Sequence, residues 1–262
     1  MYKMMSCAKH QLRLFFVALQ FYSRIPIPRW IGFDPAWQAP ANRYLPAVGL
    51  VVGGLIALVY SGAAWIWPQP VAVIFSMVFG IYLTGAFHED GLADTCDGFG
   101  GGTRVERILE IMKDSRIGAY GAMGIFLVLA LKAASLMHMS SSLVPIVLLL
   151  AHTLSRFAAL TVICRLNYAR TESKGKAMAA HPGTLGYLVA FGTMLVVCVA
   201  AVAGGWLSVE MIGAGILAAS LSTWWMARAF SRRLGGYTGD CLGAIQQVSE
   251  LAIYLALLGF LG

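Results

Sequence analysis

Three stretches of this chain carry no Asp, Glu, Lys or Arg: residues 44–87, 133–155 and 177–209. A bilayer crossing needs about 20 consecutive apolar residues, so each stretch is long enough for at least one span. Over the whole 262 residues, 59% are hydrophobic and 12% charged, against roughly 25% charged in ordinary soluble domains. A soluble fold of this size cannot hide that much apolar surface. A transmembrane β-barrel is excluded too, because it needs short alternating segments and these runs are continuous. The chain reads as an all-α, polytopic integral membrane protein.

Seven spans account for the apolar runs, at about 44–67, 70–87, 117–138, 143–164, 186–206, 209–228 and 243–261. Pro68-Gln69-Pro70 breaks the first long run into a hairpin. Ahead of them, residues 12–22 are apolar but short, flanked by Arg13 and Arg24 and stopped by Pro26 and Pro28. That pattern reads as an interfacial helix, with a short span as the alternative. Lys and Arg gather before the first span, between the second and third, after the fourth and after the sixth, while the opposite connections hold none. With seven spans, all these groups lie on one side, which the positive-inside rule makes the cytoplasm. The N-terminus is then inside and the C-terminus outside. The net charge of +7 is therefore read as topology, and no nucleic-acid partner is expected. Cys7, Cys96, Cys164, Cys198 and Cys241 are scattered, which argues against a disulfide framework. No small-residue cleavage site follows the basic N-terminus, so no cleaved signal peptide is expected. With no internal repeat, residues 1–262 read as one membrane-embedded catalytic domain. Residues 1–43 form its cytoplasmic or interfacial N-terminal segment, and residues 88–116 an acidic cytoplasmic loop.

Seven of the twelve acidic residues fall in that loop: Glu89, Asp90, Asp94, Asp97, Glu106, Glu110 and Asp114. Asp90, Asp94 and Asp97 are spaced i, i+4, i+7 and share one helical face. Glu106, Glu110 and Asp114 repeat the pattern at i, i+4, i+8. Like charges at this spacing repel in a bare helix. A divalent cation removes the repulsion, and hard oxygen donors suit Mg²⁺ or Mn²⁺. The candidate metal ligands are Asp90, Asp94, Asp97, Glu110 and Asp114. A solvated acidic loop is the plainer alternative, and surface pairs with Arg104, Arg107 and Lys113 explain the second group equally well. Asp240 arrives at the mouth of the last span through the glycine-rich turn Leu234 to Asp240, as a further ligand or general base. Asp94, Asp97, Asp240 and His88 are the catalytic candidates, although His88 also suits an interface.

Arg24, Lys113, Arg116, Arg156 and Arg233 are the candidate ligands for substrate phosphate. Arg165, Arg170, Lys174, Lys176 and Arg232 share the same side, where topology alone explains most of them. Lys132 and Arg156 lie within spans. An unpaired ammonium at that depth is costly, so Lys132 is expected to be buried against protein with a carboxylate or carbonyl partner. No GK[ST] occurs, and residues 98–102 fit neither a P-loop nor a dinucleotide fingerprint. The inventory is that of metal-assisted phosphoryl or diphosphate chemistry on a membrane scaffold.

The string His88-Glu89-Asp90-Gly91-Leu92-Ala93-Asp94-Thr95-Cys96-Asp97-Gly98 resembles the signature of the cobalamin-5′-phosphate synthase family, the adenosylcobinamide-GDP ribazoletransferases. Residues 107–118 resemble its continuation. Ser23 to Pro28, Ser155-Arg156 and Leu234 to Asp240 follow the family's other signatures in the same order, so the resemblance covers most of the chain. Glu89 departs from it, standing where a neutral residue is expected. The resemblance implies a Mg²⁺-dependent enzyme of the bacterial inner membrane whose active site faces the cytoplasm. Its expected substrates are adenosylcobinamide-GDP and α-ribazole or α-ribazole 5′-phosphate, and its products GMP and adenosylcobalamin or the 5′-phosphate. The lipid bilayer is the other expected partner, and an oligomer is compatible with the chain. Two rivals use similar residues. A CDP-alcohol phosphotransferase or prenyltransferase also spaces its aspartates, but the former wants an arginine where Asp94 stands. A divalent-cation transporter should place carboxylates near the bilayer midplane rather than at one face.

Overall fold

The computed structural model describes residues 2–170 and 180–260, with side chains from Ala8 onward. Its helices are α1 (Tyr2–Tyr22), α2 (Gln38–Ala41), α3 (Leu45–Ala64), α4 (Gln69–Thr84), α5 (Phe87–Gly101), α6 (Val105–Ile111), α7 (Ala119–Met137), α8 (Val144–Ile163), α9 (Gly183–Ala203), α10 (Val209–Leu234) and α11 (Gly239–Leu258). Among the described residues there is no named strand, only an isolated parallel bridge between Tyr168 and Tyr237. The segment Pro35–Ala64, which includes α3, and each of α7 to α11 are long and apolar enough to cross a membrane. Helices α4 and α5 together make a seventh candidate, bent by 88° at its break. The chain is a polytopic all-α membrane protein, as its charge-free runs require. Prolines 46, 70 and 145 sit in the first turns of α3, α4 and α8, where a missing N–H costs no helical bond. Helix α1 buries Leu14, Val17, Ala18, Leu19 and Tyr22 and leaves Leu12 and Phe21 exposed.

Residues 88–116, the acidic connection, are largely helical, in α5 and α6. Gly85 ends α4 with φ 68°, and Ala86 follows at φ 59°, a left-handed conformation that costs a non-glycine residue about 1–2 kcal/mol. Two left-handed residues in succession turn the chain sharply, and α5 starts at once in the new direction. Small residues then let α5 sink into the protein, with Gly91, Leu92, Ala93, Thr95 and Gly98 buried. Helix α6 is the short continuation.

The bundle centres on α8, most of whose residues are buried. Helix α3 crosses it at Gly49 and Gly53: a Cβ on Gly49 would collide with the His152 carbonyl, and one on Gly53 would lie 2.9 Å from the His152 Cβ. Between lipid-exposed helices no hydrophobic force favours association, so close backbone packing at small residues supplies it. Helix α11 packs on α10, α5 and α8, which carries its N-terminus to the acidic helix.

Candidate active site: an acidic face between α5 and α11

Helix α11 meets α5 through glycine on each side. A Cβ on Gly91 would lie 2.8 Å from the Asp240 carbonyl oxygen, and one on Gly243 3.0 Å from the His88 carbonyl oxygen. No larger residue fits either position without moving a backbone. The crossing brings Asp240, in the first turn of α11, against the motif on α5. The charges of Asp240 and Asp90 both act on Asp94, so three carboxylates from two distant segments share one face. Asp90 is exposed, Asp94 and Asp240 half-buried.

Arg170 supplies the counter-charge. Its Nη2 donates to Asp240 Oδ2 at 2.7 Å, while its buried Nε makes no hydrogen bond. The bridge locks the arginine in place: the Tyr237 N–H donates to Asn167 O at 2.9 Å, and the Ala169 N–H to Tyr237 O at 2.8 Å. Thr238 caps α11 by accepting from the Cys241 N–H at 3.3 Å and donates to Asp240 Oδ2 at 3.2 Å. The turn Leu234 to Asp240 therefore orients both Asp240 and its partner.

The structure brings only some of the expected residues to this face. Asp97 is buried, and both its carboxylate oxygens accept backbone bonds, from the Gly118 N–H at 2.7 Å and the Gly121 N–H at 2.8 Å. It ties down the N-terminus of α7, where free N–H groups favour an anion. Glu110 pairs with Arg107 at 2.7 Å and Asp114 with Arg116 at 2.7 Å, all exposed. Hydrogen bonds from Arg116 hold the Asp114 carboxyl down at about 2. Lys113 is exposed beside them. Arg233 turns to the end of α5, where its Nη1 donates to Phe99 O at 2.8 Å and Nη2 to Gly102 O at 2.5 Å. Arg24 lies over the Tyr82 ring at 5.5 Å, beside the break at Gly85. Lys174 and Lys176 lie outside the described residues. Among the described residues no three His, Cys, Asp or Glu side chains form a group that could hold a metal ion.

A second polar cluster lies inside the bundle. Lys132 Nζ donates to Glu250 Oε1 at 2.9 Å and to Gln247 Oε1 at 2.6 Å. Glu250 also accepts from Gln246 Nε2 at 2.5 Å and from the Tyr254 hydroxyl at 3.0 Å. Arg156, 1% exposed, donates through Nη1 to the His152 carbonyl at 3.1 Å. Arg156 therefore belongs to the interior rather than to the acidic face. Glu89 reaches the cluster from α5, accepting from Gln247 Nε2 at 2.8 Å. The residue that departs from the family pattern thus points away from the aspartates, into a cavity of about 40 Å³ also lined by His88. Two carboxylates meet two cations here, as a buried charge set requires. Lys132 has the carboxylate partner expected of it. Glu250, His152 and Gln246 escaped the sequence reading, although a lone acid in an apolar run is itself a signal.

Comparison with known proteins agrees with this arrangement of motifs. The family model described as Cobalamin-5-phosphate synthase matches residues 14–258. A protein of Leptothrix cholodnii named adenosylcobinamide-GDP ribazoletransferase is 45% identical, over 96% of this chain and 97% of its own length. Proteins of the same name from Shewanella woodyi and Vibrio cholerae are 44% and 43% identical, covering 98% of this chain and 99% and 98% of their own. No solved structure matches. The chain belongs to the cobalamin-5-phosphate synthase family.

Proposed function

We propose that this protein joins adenosylcobinamide-GDP to α-ribazole or its 5′-phosphate, releasing GMP and forming adenosylcobalamin or its 5′-phosphate. The observation that carries the reading at the site is the meeting of Asp240 with Asp90 and Asp94, paired with a single arginine. The relatives' shared name supplies the substrates. A ribose hydroxyl oxygen forms a bond to the cobinamide-side phosphorus, and the bond from that phosphorus to the bridging oxygen breaks. GMP leaves with the bridging oxygen. Asp94, at the centre of the face, takes the hydroxyl proton. Arg170 sets its guanidinium charge against the diphosphate while its Nη2 holds Asp240 in position. Three carboxylates against one guanidinium leave an excess of hard, negative oxygen donors, the donor chemistry of Mg²⁺; Asp90, Asp94 and Asp240 do not converge into a ligand group here and would hold the ion once drawn together by it. Bound there, the ion supplies positive charge against the diphosphate.

The basic residues around this end of the bundle support, by the positive-inside rule, an active site that faces the cytoplasm from the bacterial inner membrane. The interior carboxylates Glu89 and Glu250 are matched by Lys132 and Arg156, which speaks against an open cation path. The test is GMP release by the purified protein given both substrates, across a Mg²⁺ titration. Metal-dependent release supports the reading; absence of GMP at every Mg²⁺ concentration sinks it.

A further inference from the structure

Helices α9 and α10 follow one another in the chain, yet α9 rests mainly on α8 and α3, α10 rests mainly on α11, and the two scarcely touch each other. The gap between them is a groove of about 690 Å³, within the roughly 300–1,000 Å³ of small-molecule sites. Phe157, Tyr187, Phe191, Met194 and Trp224 give it an apolar wall. Beside it, the outer surfaces of α9 and α10 are exposed and apolar at Leu195, Val196, Leu217 and Leu221, so the groove opens sideways to the hydrocarbon.

One end of the groove has the opposite character. Arg165, just past α8, and Arg228 and Arg232, one turn apart on α10, all line it. None of the three has a carboxylate partner among the described residues. Arg228 instead stacks over Trp224 at 5.6 Å. The positive-inside rule explains arginines at this end of the bundle, but not three guanidiniums from two segments around one slot. The groove also holds an unsatisfied hydroxyl: Thr223 Oγ1 is buried without a hydrogen-bond partner.

We propose that this groove is a binding site for an anionic phospholipid. The headgroup phosphate sits among Arg165, Arg228 and Arg232, whose planar forks match phosphate oxygens. One acyl chain runs along Phe157, Phe191 and Trp224. Charge complementarity selects this occupant over a zwitterionic lipid, and the sideways opening selects it over a soluble ligand. Arg165 and Arg232 thereby have a role apart from the acidic face.

The test uses the full-length protein in phosphatidylcholine vesicles containing a minor fraction of a lipid with brominated acyl chains, which quench nearby tryptophan. Subtracting the signal of Trp224→Phe isolates Trp224. Brominated phosphatidylglycerol should quench Trp224 as if enriched at least about fivefold over brominated phosphatidylcholine, the worth of one engaged arginine at an anionic headgroup. The triple variant Arg165→Gln, Arg228→Gln, Arg232→Gln should lose the enrichment while keeping the native helical circular dichroism. If the triple variant unfolds, each single Arg→Gln variant should show a partial loss. Equal quenching by the two lipids, or enrichment that survives all the arginine changes, overturns the proposal. Displacement by inorganic phosphate, or by adenosylcobinamide-GDP, would reassign the groove to a soluble ligand. Loss of quenching that tracks protein-to-lipid ratio would reassign it to a second copy of the chain.

Discussion

Lys132 and Glu250 face each other at 2.9 Å between α7 and α11, with about one-twentieth of each side chain exposed. The pair joins the helix that Asp97 anchors to the helix whose first turn carries Asp240. It therefore sets the spacing of two elements on which the acidic face depends. Through Gln247 it also reaches Glu89 on α5, so all three helices share one buried network.

Breaking that pair should be costly. Lys132→Met leaves Glu250 short of its ammonium in the bundle interior, and loss of one partner of a buried pair typically costs about 3–5 kcal/mol. Lys132→Met/Glu250→Gln should recover part of the loss, because no uncompensated charge remains. Thermal unfolding of both single variants and the double variant in detergent checks this. Strictly additive effects would mean that the two side chains do not stabilise each other.

Asp94→Asn keeps the shape of the side chain and removes its charge from the centre of the acidic face. The protein should insert and melt as the native protein does, while turnover falls by at least about 100-fold, as loss of a principal electrostatic group does. GMP release over a Mg²⁺ series reads the outcome. Near-native turnover at ordinary Mg²⁺ would remove Asp94 from the mechanism.

Asp97→Asn should behave differently. The amide retains one acceptor oxygen and presents an NH₂ group to a backbone N–H, so one of the two bonds to Gly118 and Gly121 is lost. Losses of helix caps run at about 0.5–2 kcal/mol, and melting should fall accordingly whatever the Mg²⁺ concentration. An unchanged melting temperature with lost, Mg²⁺-rescuable activity would make Asp97 a metal ligand instead.

Gly91→Ala places a methyl group against the Asp240 backbone. The crossing must open, and a displacement near 1 Å at a catalytic group can lower turnover by roughly 100-fold. Helix content by circular dichroism should stay native while GMP release drops. Full activity would mean that the contact of α5 with α11 is not what positions Asp240.

Topology is open to direct measurement. Single cysteines introduced at Gln69 and Gly205 should react with a membrane-impermeant reagent from the side opposite to one at Arg104 or Arg232. Labelling of all four from one side would contradict the seven-span arrangement.

The amino-acid sequence by itself determined the membrane class. Runs such as 44–87 have no soluble solution. The family was equally legible, because its signature at residues 88–98 is a contiguous string. Helical periodicity correctly put Asp90 and Asp94 on one stripe, and burial cost correctly demanded a partner for Lys132. What periodicity cannot supply is the partner across space. Asp97 shares the register of Asp90 and Asp94, yet the approach of α7 at Gly118 and Gly121 turns its carboxylate into an anchor. Arg233 and Arg170 are both basic residues near the same mouth, but only the pairing of 167–169 with the turn at Tyr237 brings Arg170 to Asp240. Glu89 looks like a fourth member of the acidic cluster, and the crossing of α11 sends it into the interior instead. In each case the side chain's identity was fixed by local spacing and its role by which helix packed against it, and that choice depended on where glycines allowed two backbones to meet.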